Sequence, residues 1–134
     1  MKISSKTITA IKMFIDLGEH CEDGFISLVD IAKRKDLSKK FLEQIVPLYK
    51  NNGLILGTRG NQGGYKLAKA PREISLKDII YISENNFLKD NVGYEPIDNV
   101  INELDNLLDG YLGNIPLSKL VEDAKESYSN NYCI

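Results

Sequence analysis

Few side chains here can do covalent or metal chemistry. The 134 residues hold one histidine, His20, and two cysteines, Cys21 and Cys133. One imidazole cannot make a His-x-x-x-His zinc pair, and two distant thiols cannot make a four-thiolate site. His20 beside Cys21 is a pair in which an imidazole can tune a thiol, set against the simpler reading of a helix end. The two cysteines read as free thiols of a reducing compartment. The stretch Arg59-Gly60-Asn61-Gln62-Gly63-Gly64 has the glycines of a phosphate loop. Its spacing is wrong, because Tyr65 stands where a Walker loop needs Gly-Lys. Asp98, Glu103, Asp105 and Asp109 share one segment and read as a solvated acidic face rather than a catalytic pair. These observations argue against an enzyme and against a metal centre.

What remains is chemistry suited to a polyanion. Lys39, Lys40, Glu43, Gln44, Pro47, Lys50 and Asn51 fall on one side of a helix that begins after Ser38. Phe41, Leu42, Ile45, Val46, Leu48 and Tyr49 fall on the other. Lys39 and Lys40 stand in the first turn, where the helix dipole disfavours each cation by ~0.3–1 kcal/mol and a phosphate would offset that cost. Glu43 can accept from a cytosine amino group, and Gln44 can bind adenine in bidentate fashion. Arg59 suits a phosphate or a narrow minor groove. Gly60, Gly63 and Gly64 admit positive dihedrals and a close backbone approach.

Charge is divided in the same sense. Residues 1–72 carry 13 Lys and Arg against 7 Asp and Glu, and residues 73–134 carry 4 against 12. A basic half joined to an acidic half suits a protein of which one end meets a polyanion. At 134 residues the chain fits one ordinary domain with an appended arm. No apolar run reaches a membrane span and no signal-peptide core is present, so a soluble cytoplasmic protein is expected.

The elements that position these residues follow from periodicity. A first helix is expected from Ser4 to His20, with Ile8, Ile11 and Ile15 on its buried stripe and Met13, Phe14 and Leu17 broadening it. Gly18 and Glu22-Asp23-Gly24 should close it. Phe25-Ile26 is long enough for one small strand. Ser27 caps a second helix with Leu28, Ile31 and Ala32 inside and Lys33, Arg34 and Lys35 outside; its backbone amide can also meet a phosphate. Asp36-Leu37 turn the chain into the third helix, which Pro47 should bend or end about two turns in. Leu54-Ile55-Leu56 and Tyr65-Lys66-Leu67 make a hairpin around the glycines. Ala70-Pro71 forms a hinge, and Ser75 caps a fourth helix using Leu76, Ile79, Ile80 and Ile82. Residues 85–94 show no period. From Pro96 a long helix carries Ile97, Val100, Ile101, Leu104, Leu107, Leu108 and Tyr111 at coiled-coil-like spacing. A last, short helix contains Leu117, Leu120, Val121, Ala124 and Tyr128.

The expected fold is therefore mainly α: a winged helix-turn-helix with a two-stranded wing over residues 1–82, then a loop, a dimerisation helix and a C-terminal helix over 83–134. The long apolar stripe needs cover, either from a symmetry mate or from the protomer's own core. A symmetry mate would set two recognition helices one DNA turn apart. The expected function is a sequence-specific DNA-binding regulator. The alternative is a protein-interaction module that keeps this fold without specific DNA binding.

The chain resembles the Rrf-two family of bacterial winged-helix transcription regulators. The resemblance rests on Met1-Lys2-Ile3-Ser4 with Lys6, Ser27-Leu28 with Ile31-Ala32, Ser38 with Leu42-Glu43-Gln44, and Pro47-Leu48. It continues through Gly53-Leu54, Arg59-Gly60, Gly63-Gly64-Tyr65 with Leu67, and Ile74 with Ile79. It implies a homodimer that binds double-stranded DNA at a near-palindromic operator, usually as a repressor. DNA contacts would come from Ser4, Lys6, Ser27, Ser38, Lys39, Lys40, Phe41, Glu43, Gln44, Arg59, Asn61, Gln62, Gly63 and Gly64. Three departures stand out. Ile8-Thr9 replace a usual Arg-Tyr, and Phe41 replaces a common tyrosine. Residues 85–112 lack the three cysteines of the cluster-binding members, so no iron–sulfur cofactor is expected. In this respect the chain is similar to the cluster-free cysteine-metabolism repressors, which implies a regulatory partner protein.

Overall fold

The structure is a computed structural model that describes residues 2–60, 63–84, 88 and 90–132, the last five as backbone. Its hub is α1 (Ser5–Glu19). The Ser4 hydroxyl accepts from the Thr7 amide at 3.3 Å and so satisfies one donor of the first turn. The buried side of α1 is Ala10, Met13, Phe14 and Leu17, while Ile8 is exposed and Ile11 and Ile15 are partly covered. The expected stripe was therefore rotated. Helices pack on several sides of α1, and their placement, not the run of isoleucines, selects the enclosed face. Gly18 does not close the helix either. It lies within α1 and leaves room for Val121, whose Cγ2 would stand 2.7 Å from an added Cβ.

The helix-turn-helix follows. Ser27 caps α2 (Leu28–Lys35), and Ser38 caps α3 (Lys39–Asn51). Between them Asp36 takes the left-handed conformation, φ 53 and ψ 56, which aspartate tolerates better than most residues. Pro47 does not end α3, which continues to Asn51. It lies on the exposed side, so water can satisfy the carbonyl left without a partner. Ile45, Val46 and Tyr49 anchor the turns around it in the core.

β1 (Ile55–Thr58) and β2 (Gly64–Leu67) pair antiparallel, with Ile55 opposite Leu67 and Thr58 opposite Gly64. Ile26 adds a single bridge to Tyr65 rather than a strand of its own. A 3-10 turn (Pro71–Glu73) occupies the expected hinge. It leads to α4 (Leu76–Ser83), where Ser75 and Asp78 form a reciprocal capping box. α5 (Glu95–Gly113) and α6 (Leu117–Tyr132) complete the chain. At 16 residues α6 is longer than the short closing helix expected, and the Tyr128 side chain lies outside the described residues.

The core joins α1, α2, α3, α4, the hairpin and the start of α6. Phe14 meets Tyr49 edge-on at 4.9 Å, and the buried Tyr49 hydroxyl donates to the Ile79 carbonyl at 2.8 Å. Burial pushes the Tyr49 pKa up to about 12, so the hydroxyl remains a neutral donor. Leu117 and Val121 enter this core, with Leu117 N–H on the Ile74 carbonyl at 2.7 Å. Leu76 N–H donates to the Ile115 carbonyl at 2.8 Å, so the entries to α4 and α6 are tied together.

Candidate nucleic-acid interface

Two faces of α3 are cleanly separated. Leu42, Ile45, Val46 and Tyr49 are buried, whereas Lys39, Lys40, Glu43, Gln44, Pro47, Lys50 and Asn51 are all exposed. Burial on one side follows from apolar residues at i, i+3, i+4 and i+7, so the opposite side must carry whatever acts outward. Ser38 is exposed and spends its hydroxyl on the Phe41 amide at 3.2 Å. Phe41 lies between the faces, half-buried against the core. No acidic residue stands in the first turn of α3, and Lys39 reaches Glu43 at 3.7 Å. Such an exposed pair contributes little and is easily exchanged for a phosphate contact.

α2 is fixed from behind. Arg34 Nε and Nη2 donate to Asp16 Oδ1 and Oδ2 at 2.8 and 2.9 Å, and Asp16 is fully buried. Lys35 Nζ lies 2.5 Å from Glu19 Oε1. Both residues were expected to face solvent. Arg34 is exposed as expected and Lys35 is not, and both bind α1, because two basic residues at the end of α2 meet two carboxylates on the adjoining helix. The Asp16 bond raises the Arg34 pKa further, so the guanidinium keeps its charge. Lys33 and Arg34 are both exposed, and Lys35 is the half-buried member of the basic trio.

The hairpin brings its glycines to the same side. Of Gly60, Gly63 and Gly64, only Gly60 takes a positive φ, 108. Gly63 and Gly64 are needed for space instead. A Cβ on Gly63 would strike the Thr58 and Gly60 carbonyls, and one on Gly64 would strike the Ile26 backbone. Gly64 is buried, while Arg59 and Gly60 are exposed. Ser27, Leu28, Val29, Lys39, Thr58, Gly60, Gly63, Gly64 and Tyr65 line one open groove of ≈ 500 Å³. It runs between the start of α2, the start of α3 and the hairpin. Thr58 and Val29 were not singled out in the sequence; Thr58 adjoins Arg59, and Val29 is an apolar residue 40% exposed.

The remaining candidates divide. Asn61 and Gln62 lie outside the described residues. Ser4 and Lys6 stand at the start of α1 beside Glu84, whose carboxylate accepts from the Ser4 amide at 2.8 Å and the Thr7 hydroxyl at 2.6 Å. These bonds, first that from Thr7, hold Glu84 below the ordinary carboxylate range.

On α5 the apolar row points outward. Ile97, Val100, Leu104, Leu107 and Tyr111 are exposed, Leu107 by 70%, while Ile101 and Leu108 are half-buried. Leu112 is the buried member of this helix. Two of the acidic residues have structural partners: Asp98 accepts from the Val92 and Gly93 amides, and Asp109 accepts from the Tyr81 hydroxyl at 2.6 Å.

Among the described residues no group of three His, Cys, Asp or Glu is arranged to hold a metal, and no helix is long and apolar enough to cross a membrane. Cys21 is exposed at the end of α1, and Cys133 lies outside the described residues. The donor set does not fit a cluster held by three cysteines.

A family model described as "Rrf2: Iron-dependent Transcriptional regulator" matches residues 3–123. Protein rrf2 of Nitratidesulfovibrio vulgaris is 32% identical over 84 residues, covering 63% of this chain and 56% of its own length. The chain thus spans about half the length of the first curated relatives it matches. Among solved structures, T. potens IscR superposes with a TM-score of 0.79 at 34% identity, covering 95% of this chain and 90% of that one. CymR, the global cysteine regulator of B. subtilis, superposes at 0.76 with 29% identity, covering 91% and 97%.

Proposed function

This chain belongs to the Rrf2 family of transcriptional regulators, which are not enzymes, and on that premise we propose that it is a sequence-specific DNA-binding regulator. It acts as a cofactor-free cytoplasmic homodimer, and as a repressor, on a near-palindromic operator. The observation that carries the reading is the open polar face of α3 beside the groove of the wing. In it, α3 enters the major groove with Glu43 and Gln44 toward base edges, while Lys39, Lys40 and Arg59 take phosphates. The start of α2 offers backbone amides to the sugar–phosphate chain. The outward apolar row of α5 supports the dimer, since a row this long is costly to leave in water. The winged helix-turn-helix over residues 1–82 reads DNA, and residues 83–134 pair the protomers. Its signal comes through a regulatory partner protein, a reading drawn from the missing cysteines and the likeness to CymR.

The test is a gel-shift titration over a range of salt, on duplexes selected from random sequence. Affinity should fall by about 0.9 log units per log salt for each phosphate neutralised. A flat response, with no motif enriched, would leave a protein-interaction module as the better account.

A further inference from the structure

The dimer helix and the DNA-reading unit meet across α4. Lys77 stands beside Gly113 and Tyr81 beside Asp109, so α4 and α5 run antiparallel. α5 therefore extends from Asp109 back to Glu95, a reach of about 20 Å beyond that contact at ~1.5 Å per residue. On α5 as a whole the open row occupies one side, and Asp109 and Leu112 occupy another. Leu112 supplies apolar burial, which is non-directional and tolerates rotation. The bond from the Tyr81 hydroxyl to Asp109 Oδ1, 2.6 Å long, is directional. Lys77 Nζ lies 5.7 Å from the centre of the Tyr81 ring and steadies it.

We propose that the Tyr81–Asp109 contact is a positioning contact that fixes the angle between the α5 arm and the DNA-reading unit, and through it the half-site spacing the dimer accepts. The inference rests on the dimeric DNA-binding reading above. A swing of about 10° over ~20 Å displaces one end by about 3.5 Å, which is one base-pair rise of ~3.4 Å. A small loss of angular control is therefore enough to blur a choice of spacing. The Tyr81 hydroxyl has its pKa pushed up to about 12, by burial first and by the Asp109 bond second, so it remains a donor at neutral pH.

The experiment uses the full chain and a duplex selected from random sequence, with two further duplexes whose half-sites are one base pair closer or farther apart. Sedimentation reports the dimer, and titration gives affinity for all three. Tyr81→Phe and Asp109→Ala should dimerise like the parent and bind the selected duplex about 10- to 100-fold more weakly, the worth of one hydrogen bond to a carboxylate. They should also lose most of the parent's preference among spacings. Asp109→Asn keeps an acceptor and should keep that preference. Equal weakening on all three duplexes, or an unchanged preference in Tyr81→Phe, would overturn the positioning role. A parent that sediments as a monomer would overturn the dimer reading first and this inference with it.

Discussion

Arg34 holds Asp16 by two parallel hydrogen bonds, 2.8 and 2.9 Å long, with the carboxylate fully buried under the helix-turn-helix. Planar bidentate pairing fixes orientation as well as distance, so α2 is set on α1 in one pose. Arg34→Ala would strand a buried carboxylate. The expected loss is about 2–3 kcal/mol, below that of a wholly buried pair because the guanidinium is partly in water. Arg34→Lys should recover only part of it, since an ammonium cannot make both bonds. Urea unfolding of the two variants measures this directly.

Gln44 is exposed and makes no contribution to the core. Gln44→Ala should leave stability within about 0.5 kcal/mol of the parent. It should relax base preference at a single step, costing roughly 1–3 kcal/mol there. Equal loss on every sequence would refute its assignment to base reading. Lys40→Ala should instead weaken all duplexes alike and reduce the salt slope by about 0.9.

Gly64 tests the hairpin. An added methyl meets the Ile26 backbone, which cannot move aside as a side chain can. Gly64→Ala should cost about 1–3 kcal/mol, as overpacking does. It should also shift the wing, lowering DNA affinity even at temperatures where the protein stays folded. Thermal unfolding and a titration on one sample separate the two effects.

Leu107 is 70% exposed in the protomer. Leu107→Glu should therefore leave the protomer folded while shifting sedimentation from the proposed dimer to monomer. DNA affinity should fall although the residue is assigned no DNA contact, because the second half-site is lost. A dimer unaffected by this change would place the twofold contact elsewhere.

Glu84 sets a pH dependence. Its pKa is lower folded than unfolded, held down by Thr7 and Ser4. Its contribution is therefore complete above the ordinary carboxylate value and is lost as pH falls through the folded one. Glu84→Gln should flatten the acid side of the stability profile and leave the neutral side less stable than the parent. Unfolding midpoints from pH 3 to 7, about the range over which carboxylates titrate, provide the measurement.

The sequence was legible where a single element decides the outcome. Three serines, Ser27, Ser38 and Ser75, cap the helices they precede, since a cap needs only its own next turn. The split faces of α3 follow from its own periodicity. Misreadings came where several elements compete for a face. Ile8 reads as core and is exposed, while Thr7, not singled out in the sequence, is buried against Ser83 at 2.5 Å. Pro47 reads as a bend or an end, yet α3 continues to Asn51, because neighbouring side chains held in the core outweigh one lost hydrogen bond.

The sequence by itself determined which helix carries an outward polar face, where the glycine hairpin follows it, and which long helix is apolar along one row. Short-range periodicity and capping act within a few residues, so those features are written locally. Only the tertiary structure decided that Arg34 and Lys35 pair with carboxylates of α1, that Gly64 makes room for Ile26, and that α6 returns to the core through Leu117 and Val121. Each joins residues distant in the chain, and burial rewards whichever surfaces meet without recording their partners in either one.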